Sequence, residues 1–258
     1  MSAIRRHPII TFFVITYVIA WGFVPFGSFG AFAPLVAALI VIPITQGLSG
    51  LKELGLRMIR WRVRWYWYAV AIGLPLAVHL AIVGLNFAAG AGIPSLTFTS
   101  LTTFLMVFAI HLVNPTDGPL GEHPGWNGVV LPGLQGLGYS PLVATMILAP
   151  LVAGWHLPTF FLEEGTLQPS VLVAGLVVTM AVTFWYTWLF NPTSGSILLL
   201  VIAHDIEGSI QYELGWIVMG VWLAVAIGLV VFDWKAWRGP APALATTQLV
   251  YEGESRVR

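Results

Sequence analysis

The sequence predicts an all-α fold: a polytopic bundle of about eight transmembrane helices with one basic helix lying in the membrane interface. Three observations carry this. Hydrophobic residues fill 58% of the 258 positions and charged residues 9%, against about 45–50% and about 25% in soluble domains. The apolar residues are gathered into long runs, such as PIITFFVITYVIAWGFVPF at 8–26 and YWYAVAIGLPLAVHLAIVGL at 66–85. About 18 or more such residues cross a hydrocarbon core of about 30 Å. All eleven lysines and arginines fall in three places, residues 5–6, 52–64 and 235–258.

The first span, 8–27, follows Arg5 and Arg6, so a secretory signal has to be weighed, and GAFAP at 30–34 offers small residues for cleavage. The run is long and a second span, 32–48, follows at once, so the expectation is an uncleaved helix. Residues 49–65, SGLKELGLRMIRWRVRW, mix Leu, Met, Ile and Trp with Lys52, Arg57, Arg60, Arg62 and Arg64. That pattern suits a helix in the interface whose basic side chains reach the headgroups; an ordinary basic loop is the alternative. The remaining spans are 65–87, 98–114, 140–162, 170–190, 194–211 and 214–232, the one at 98–114 being the weakest. These make one transmembrane domain over 1–238. The end from Gly239, GPAPALATTQLVYEGESRVR, reads as a disordered cytoplasmic tail.

Basic loops stay cytoplasmic. Two spans separate the first two basic groups and six separate the second from the third, so all three share a side and both termini are cytoplasmic. The expected setting is an integral protein of a bacterial cytoplasmic membrane, with the lipid bilayer as its first partner. The absence of cysteine excludes disulfides, thiolate metal sites and cysteine nucleophiles. The basic residues are few and read as membrane anchors, which leaves no case for nucleic-acid binding. No inverted repeat or repeated polar stripe points to a transporter.

Charge also confines the chemistry. Between Trp65 and Trp234 there is no lysine or arginine, yet this stretch holds Asp117, Glu122, Glu163, Glu164, Asp205, Glu207, Glu213 and Asp233. A carboxylate in lipid is costly unless paired, hydrated or protonated. Asp117, Glu163, Glu164, Glu213 and Asp233 lie near span ends and are expected to meet water. Glu122, Asp205 and Glu207 need a histidine, a bound cation or a proton. Glu122 and His123 open GEHPGWNGVVLPGLQ at 121–135, whose glycines and prolines read as a break tolerated at membrane depth only where it lines a cavity or is buried in protein. His156 lies in LVAGWHLPTFF and His204 in LLLVIAHDIEGSI. On a helix His204 and Glu207 share a face, and Asp205 points about 100° away from His204. Ionisable residues within spans face the bundle interior, so Glu122, His156 and His204 are expected to meet. A carboxylate between imidazoles can activate water. Two histidines and a carboxylate can instead hold a divalent metal such as zinc. The spacings decide neither, so the cofactor is one such metal or none. His79 and His111 read as buried hydrogen-bonding residues, and His7 as interfacial.

EHPGWNGVVLPGLQ resembles the EExxxR segment of the CAAX-prenyl-endopeptidase and bacteriocin-processing family of intramembrane proteases, which often reads EExGWRGxLLPxLQ. GWHLPTFF is similar to that family's WHLPxF segment, and SGSILLLVIAHDIEGSI to its last motif. GLKELGLRMIRWRVRWYWY fits its basic interfacial segment and third span. The resemblance covers residues 45–232. It implies that Glu122 and His156 activate water and that His204 steadies the developing oxyanion, with a hydrophobic substrate such as a prenylated or membrane peptide. The departures are specific. The family's second glutamate is His123 here, its arginine is Asn127, the aromatic four residues before the middle histidine is Val152, and the asparagine four after the last is Gly208. Losing one oxyanion donor costs about 10²–10³ in rate elsewhere. Losing the arginine removes the cation that would hold Glu122 ionised.

PGW, LPGLQ and WHLP are kept, so the scaffold has not decayed along with the motif. Three functions follow. The first is hydrolysis of a peptide bond, with His123 standing in for a lost group. The second is non-proteolytic acid–base chemistry on an isoprenoid-like or other lipid-like molecule, with Glu122 as the acid, His123 and Glu207 beside it, and Trp126 and Trp155 lining the site so that their faces steady passing positive charge. The third is a catalytically silent immunity or scaffold protein.

Overall fold

Ten principal helices carry the fold among the residues described by the computed structural model, which are 3–90, 101–116, 118–164, 168–208 and 215–241. Asp117, Glu213 and the tail beyond residue 241 fall outside this set, as do the side chains of Glu163 and Glu164. No strand occurs among the described residues. In order the helices are α1 (Pro8–Gly22), α2 (Ala33–Thr45), α3 (Gly47–Met58), α4 (Tyr66–Ala88), α5 (Leu101–His111), α6 (beginning at Pro119–Gly125), α7 (Pro141–Trp155), α8 (Pro169–Phe190), α9 (Ile197–Gly208) and α10 (Trp216–Phe232). Four described helices are long and apolar enough to cross a membrane: Pro8–Phe26, Tyr66–Ala88, Pro141–Leu162 and Pro169–Phe190. Large apolar side chains such as Ile10, Val18, Leu80, Phe87 and Val231 stand exposed on the outside. A water-facing surface would not carry so many, and in a bilayer they meet acyl chains.

Helix boundaries follow local chemistry. α1, α6, α7 and α8 each have proline in the first turn, where the missing N–H costs nothing. α1 gives way to a 3₁₀ turn over Val24–Phe26 that closes on Gly27 at φ 72°. Thr145 Oγ1 on α7 donates to Pro141 O (2.7 Å) and also meets Thr187 Oγ1 on α8 at 3.0 Å. Those threonines join two helices whose other contacts are apolar.

The basic segment differs from its expected form. Only Gly47–Met58 is helical, and residues 60–64 are irregular, with a bend at Val63. Arg60 Nη1 donates to Ser194 O (2.9 Å) and Ser196 Oγ donates to Arg60 O (2.7 Å), which ties this stretch to the start of α9. Arg57 does not reach the headgroups. It is 1% exposed and its Nε bonds Glu53 Oε1 at 3.1 Å. Burial lowers the pKa of its guanidinium, and the bond to Glu53 pulls it back up. Arg62 and Arg64 are exposed, beside the exposed Trp61 and Trp65, as an interfacial strip requires.

The motif stretch contains no break. Pro119–Gly125 runs into a π-helical turn, Trp126–Val130, and then into Leu131–Gly136, so α6 is one rod from 119 to 136. Pro124 lacks the N–H a regular helix would use, and the wider π turn just after it keeps the chain helical. The glycines serve packing instead. A Cβ on Gly125 would lie 2.6 Å from Pro34 O, and one on Gly121 would lie 2.9 Å from Ala31 O. Small residues at helix crossings let backbones approach in this way within membranes.

Contacts sort the helix ends into two faces. Arg5 Nε donates to Ile44 O, Gln135 Nε2 to Asn191 Oδ1, and Trp188 Nε1 to Asp233 Oδ2, so the ends at 5, 44, 60, 135, 191 and 233 gather together. At the other face Trp21 Nε1 donates to Trp155 O (3.0 Å), and His111 Nδ1 meets Asp205 Oδ1 at 2.8 Å. Glu122, His156 and His204 lie toward this second face.

Candidate active site

α6, α7, α8 and α9 surround a cavity of about 120 Å³, many times what a single water needs. Its apolar wall is Leu148, Val152, Val178 and Val182, and its polar wall includes Glu122, His123, Asn127, His156, His204 and Glu207. Glu122, His156 and His204, drawn from three separate segments, therefore do meet. Among the described residues no lysine or arginine lines the space.

His156 closes α7 at its C-cap, where its Nδ1 lies 2.9 Å from Val152 O. A carbonyl only accepts, so Nδ1 carries the hydrogen and the neutral ring presents a lone pair at Nε2. That Nε2 lies 3.9 Å from Glu122 Oε2. The gap is too long for a direct hydrogen bond, and one water placed beside the line between them can bond both atoms.

His123 is held at both nitrogens. Nδ1 lies 2.8 Å from Asn127 Oδ1 one helical turn on, and Nε2 lies 3.1 Å from His204 Nδ1. It is therefore committed to its neighbours rather than free to serve as a replacement base. Val152, the position of the family's aromatic, lines the cavity and supplies the carbonyl that orients His156.

Glu207 lines the cavity together with His204, as their shared helix face requires. Asp205 turns the other way and pairs with His111. His79 Nε2 is buried against Ile206 O at 3.2 Å. The two tryptophans part company. Trp126 lines the cavity, but Trp155 does not. It is fully buried, packed edge-on to Trp126 and His156 and tilted against Phe29, so it supports the His156 ring from behind.

The metal alternative meets a geometric obstacle. Among the described residues no three histidine, aspartate or glutamate side chains are gathered to hold one ion.

α8 adds residues that the motifs do not mark. Thr179, Thr183 and Tyr186 follow one another at i, i+4 and i+7 and all face the cavity, the spacing of one helix face. The Tyr186 ring stands edge-on to His123 with centroids 4.7 Å apart. Its hydroxyl is buried beside the Glu207 carboxylate, close enough to interact with it as a hydrogen-bond partner though not in well-aligned geometry, and Glu122 lies within electrostatic reach. The threonine repeat was the available signal for this wall.

A family model described as type II CAAX prenyl endopeptidase, Rce1-like, matches residues 100–206. That segment includes Glu122, His156 and His204 and stops short of the basic strip at its upstream side. No curated protein matches the chain. Over this segment, which builds the cavity, the chain is similar to type II CAAX prenyl endopeptidases, with altered motif residues.

Proposed function

We propose that the chain is an intramembrane endopeptidase-like hydrolase that cuts a peptide bond in a hydrophobic, prenylated or membrane-embedded peptide. The observation that supports this most is the 3.9 Å gap between Glu122 Oε2 and His156 Nε2. Both atoms accept, so a water there donates a hydrogen to each and keeps a lone pair for the substrate carbonyl. As the water oxygen bonds to the carbonyl carbon, Glu122 takes one of its protons. When the C–N bond breaks, Glu122 returns that proton to the leaving nitrogen. The phenol of Tyr186, a residue that lines the same cavity with its hydroxyl beside Glu207, is the donor we assign to the developing oxyanion, in place of the asparagine that Gly208 does not supply. The apolar wall of Leu148, Val152, Val178 and Val182 suits a hydrophobic substrate.

The proposed setting is a bacterial cytoplasmic membrane, with a single transmembrane domain over 1–238 and both termini cytoplasmic. In this arrangement α6 makes one of about eight crossings and α5 stays on the non-cytoplasmic side. One observation favours a second reading, non-proteolytic acid–base chemistry on a lipid-like molecule: the described residues that line the cavity are mostly apolar and aromatic around the acid and the histidines, with no lysine or arginine among them. The test is cleavage of a prenylated reporter peptide by the purified chain in detergent. The expected result is cleavage that Glu122→Gln and His156→Ala each abolish. Intact reporter across pH, or cleavage that survives Glu122→Gln, would overturn the hydrolase reading.

A further inference from the structure

The two positions at which the chain departs from the EExxxR pattern, 123 and 127, are bonded to each other and through each other to His204. Asn127 Oδ1 lies 2.8 Å from His123 Nδ1, and His123 Nε2 lies 3.1 Å from His204 Nδ1. Each contact needs one hydrogen and one lone pair, so the chain has a direction. An amide oxygen only accepts, so His123 holds its hydrogen at Nδ1. A neutral imidazole has a single N–H, so His123 Nε2 accepts, and the hydrogen in the second bond comes from His204 Nδ1. That leaves His204 Nε2 with a lone pair. Among the described residues this nitrogen has no hydrogen-bond partner, and the space that His204 lines is the cavity beside Glu122 and His156.

We propose that Asn127 and His123 are a positioning pair that fixes the tautomer of His204 and presents its cavity nitrogen as an acceptor. Turning the Asn127 amide over would reverse every bond: Nδ2 would donate to His123, both rings would carry hydrogen at Nε2, and His204 would offer a donor instead. The amide at 127 thus sets the polarity of a histidine two bonds away. Asn127 is 2% exposed and His123 is 2% exposed, so bulk water does not compete for either link. The side chains fit this reading because each substitution explains the other. A histidine at 123 needs a neutral partner one turn away, and asparagine at 127 provides it. In the proposed hydrolysis His204 then receives a hydrogen bond from the substrate amide N–H or from the water, and the oxyanion is left to Tyr186. This kinetic consequence rests on the hydrolase reading, whereas the tautomer assignment does not.

The test separates the two. The full chain, labelled with ¹⁵N-histidine and held in lipid nanodiscs without substrate, is read by NMR, with His123 and His204 assigned from single-site variants. The expected result is hydrogen at Nδ1 on both rings and a through-hydrogen-bond coupling between His204 Nδ1 and His123 Nε2. Asn127→Leu should release the constraint, so that His204 populates both tautomers. With a cleavable reporter, kcat should fall at least about tenfold while KM stays within about twofold. Hydrogen at His204 Nε2 in the wild type, or populations unmoved by Asn127→Leu, would overturn the proposal. A wild-type chain that cleaves nothing would defeat the hydrolase reading and leave the NMR result standing.

Discussion

Tyr186 shows how much at this site depends on single side chains. The residue lines the cavity, and its buried hydroxyl lies beside the Glu207 carboxylate within electrostatic reach of Glu122. If it meets the oxyanion, Tyr186→Phe should lower kcat by about 10²-fold and leave KM within a few-fold, measured with the same reporter that tests Glu122→Gln. Equal loss in stability and rate would assign the residue to packing instead, and a thermal melt of the variant distinguishes the two. Glu122, His156 and His204 were legible from the sequence because polar residues are rare in apolar runs. Tyr186 was not, because a tyrosine in TFWYTW looks like core or interface packing until its hydroxyl is placed.

At the scale of one helix, α3 carries the clearest energetic statement. Arg57 is buried against Glu53, and Glu53 also meets Arg60 Nη2 at 3.5 Å. Breaking a buried ion pair costs more than never having had one, because the charge left behind is uncompensated. Glu53→Gln should therefore destabilise the fold by about 1–3 kcal/mol, read as a lower Tm in detergent. Glu53→Gln with Arg57→Met should recover much of that loss. A double variant no better than the single would show that Arg57 is held mainly by other groups. A basic amphipathic stretch predicts an interfacial helix. Its end at Met58 came from the bonds of Arg60 with Ser194 and Ser196, partners more than a hundred residues away that no local pattern contains. α6 makes the same point in reverse. Glycine and proline argue locally for a break, but packing on Ala31 and Pro34 uses the glycines and a π turn absorbs the proline.

For the whole molecule the discriminating residue is Thr116. If the segment at 98–114 crosses, everything from 115 to 139 lies on the cytoplasmic side. The contacts of Gly121 with Pro115 and Ala31 instead place this turn with the α1–α2 connection at the opposite face. The chain has no cysteine, so single cysteines report cleanly. Thr116→Cys should react with a membrane-impermeant maleimide from the same side as Ser28→Cys and from the side opposite Ser49→Cys. Labelling of Thr116→Cys together with Ser49→Cys would restore the crossing at 98–114. By itself the sequence determined the all-helical membrane class, the basic groups, the three polar residues expected to converge and the family resemblance, because hydropathy, charge and motif are properties of residues in order. The tertiary structure alone decided which helix carries the motif through the bundle, that Trp155 stands behind the cavity while Tyr186 faces it, and that His123 joins Asn127 to His204. Those are matters of distance and hydrogen-bond direction between segments far apart in the chain, and linear order does not encode which donor meets which acceptor.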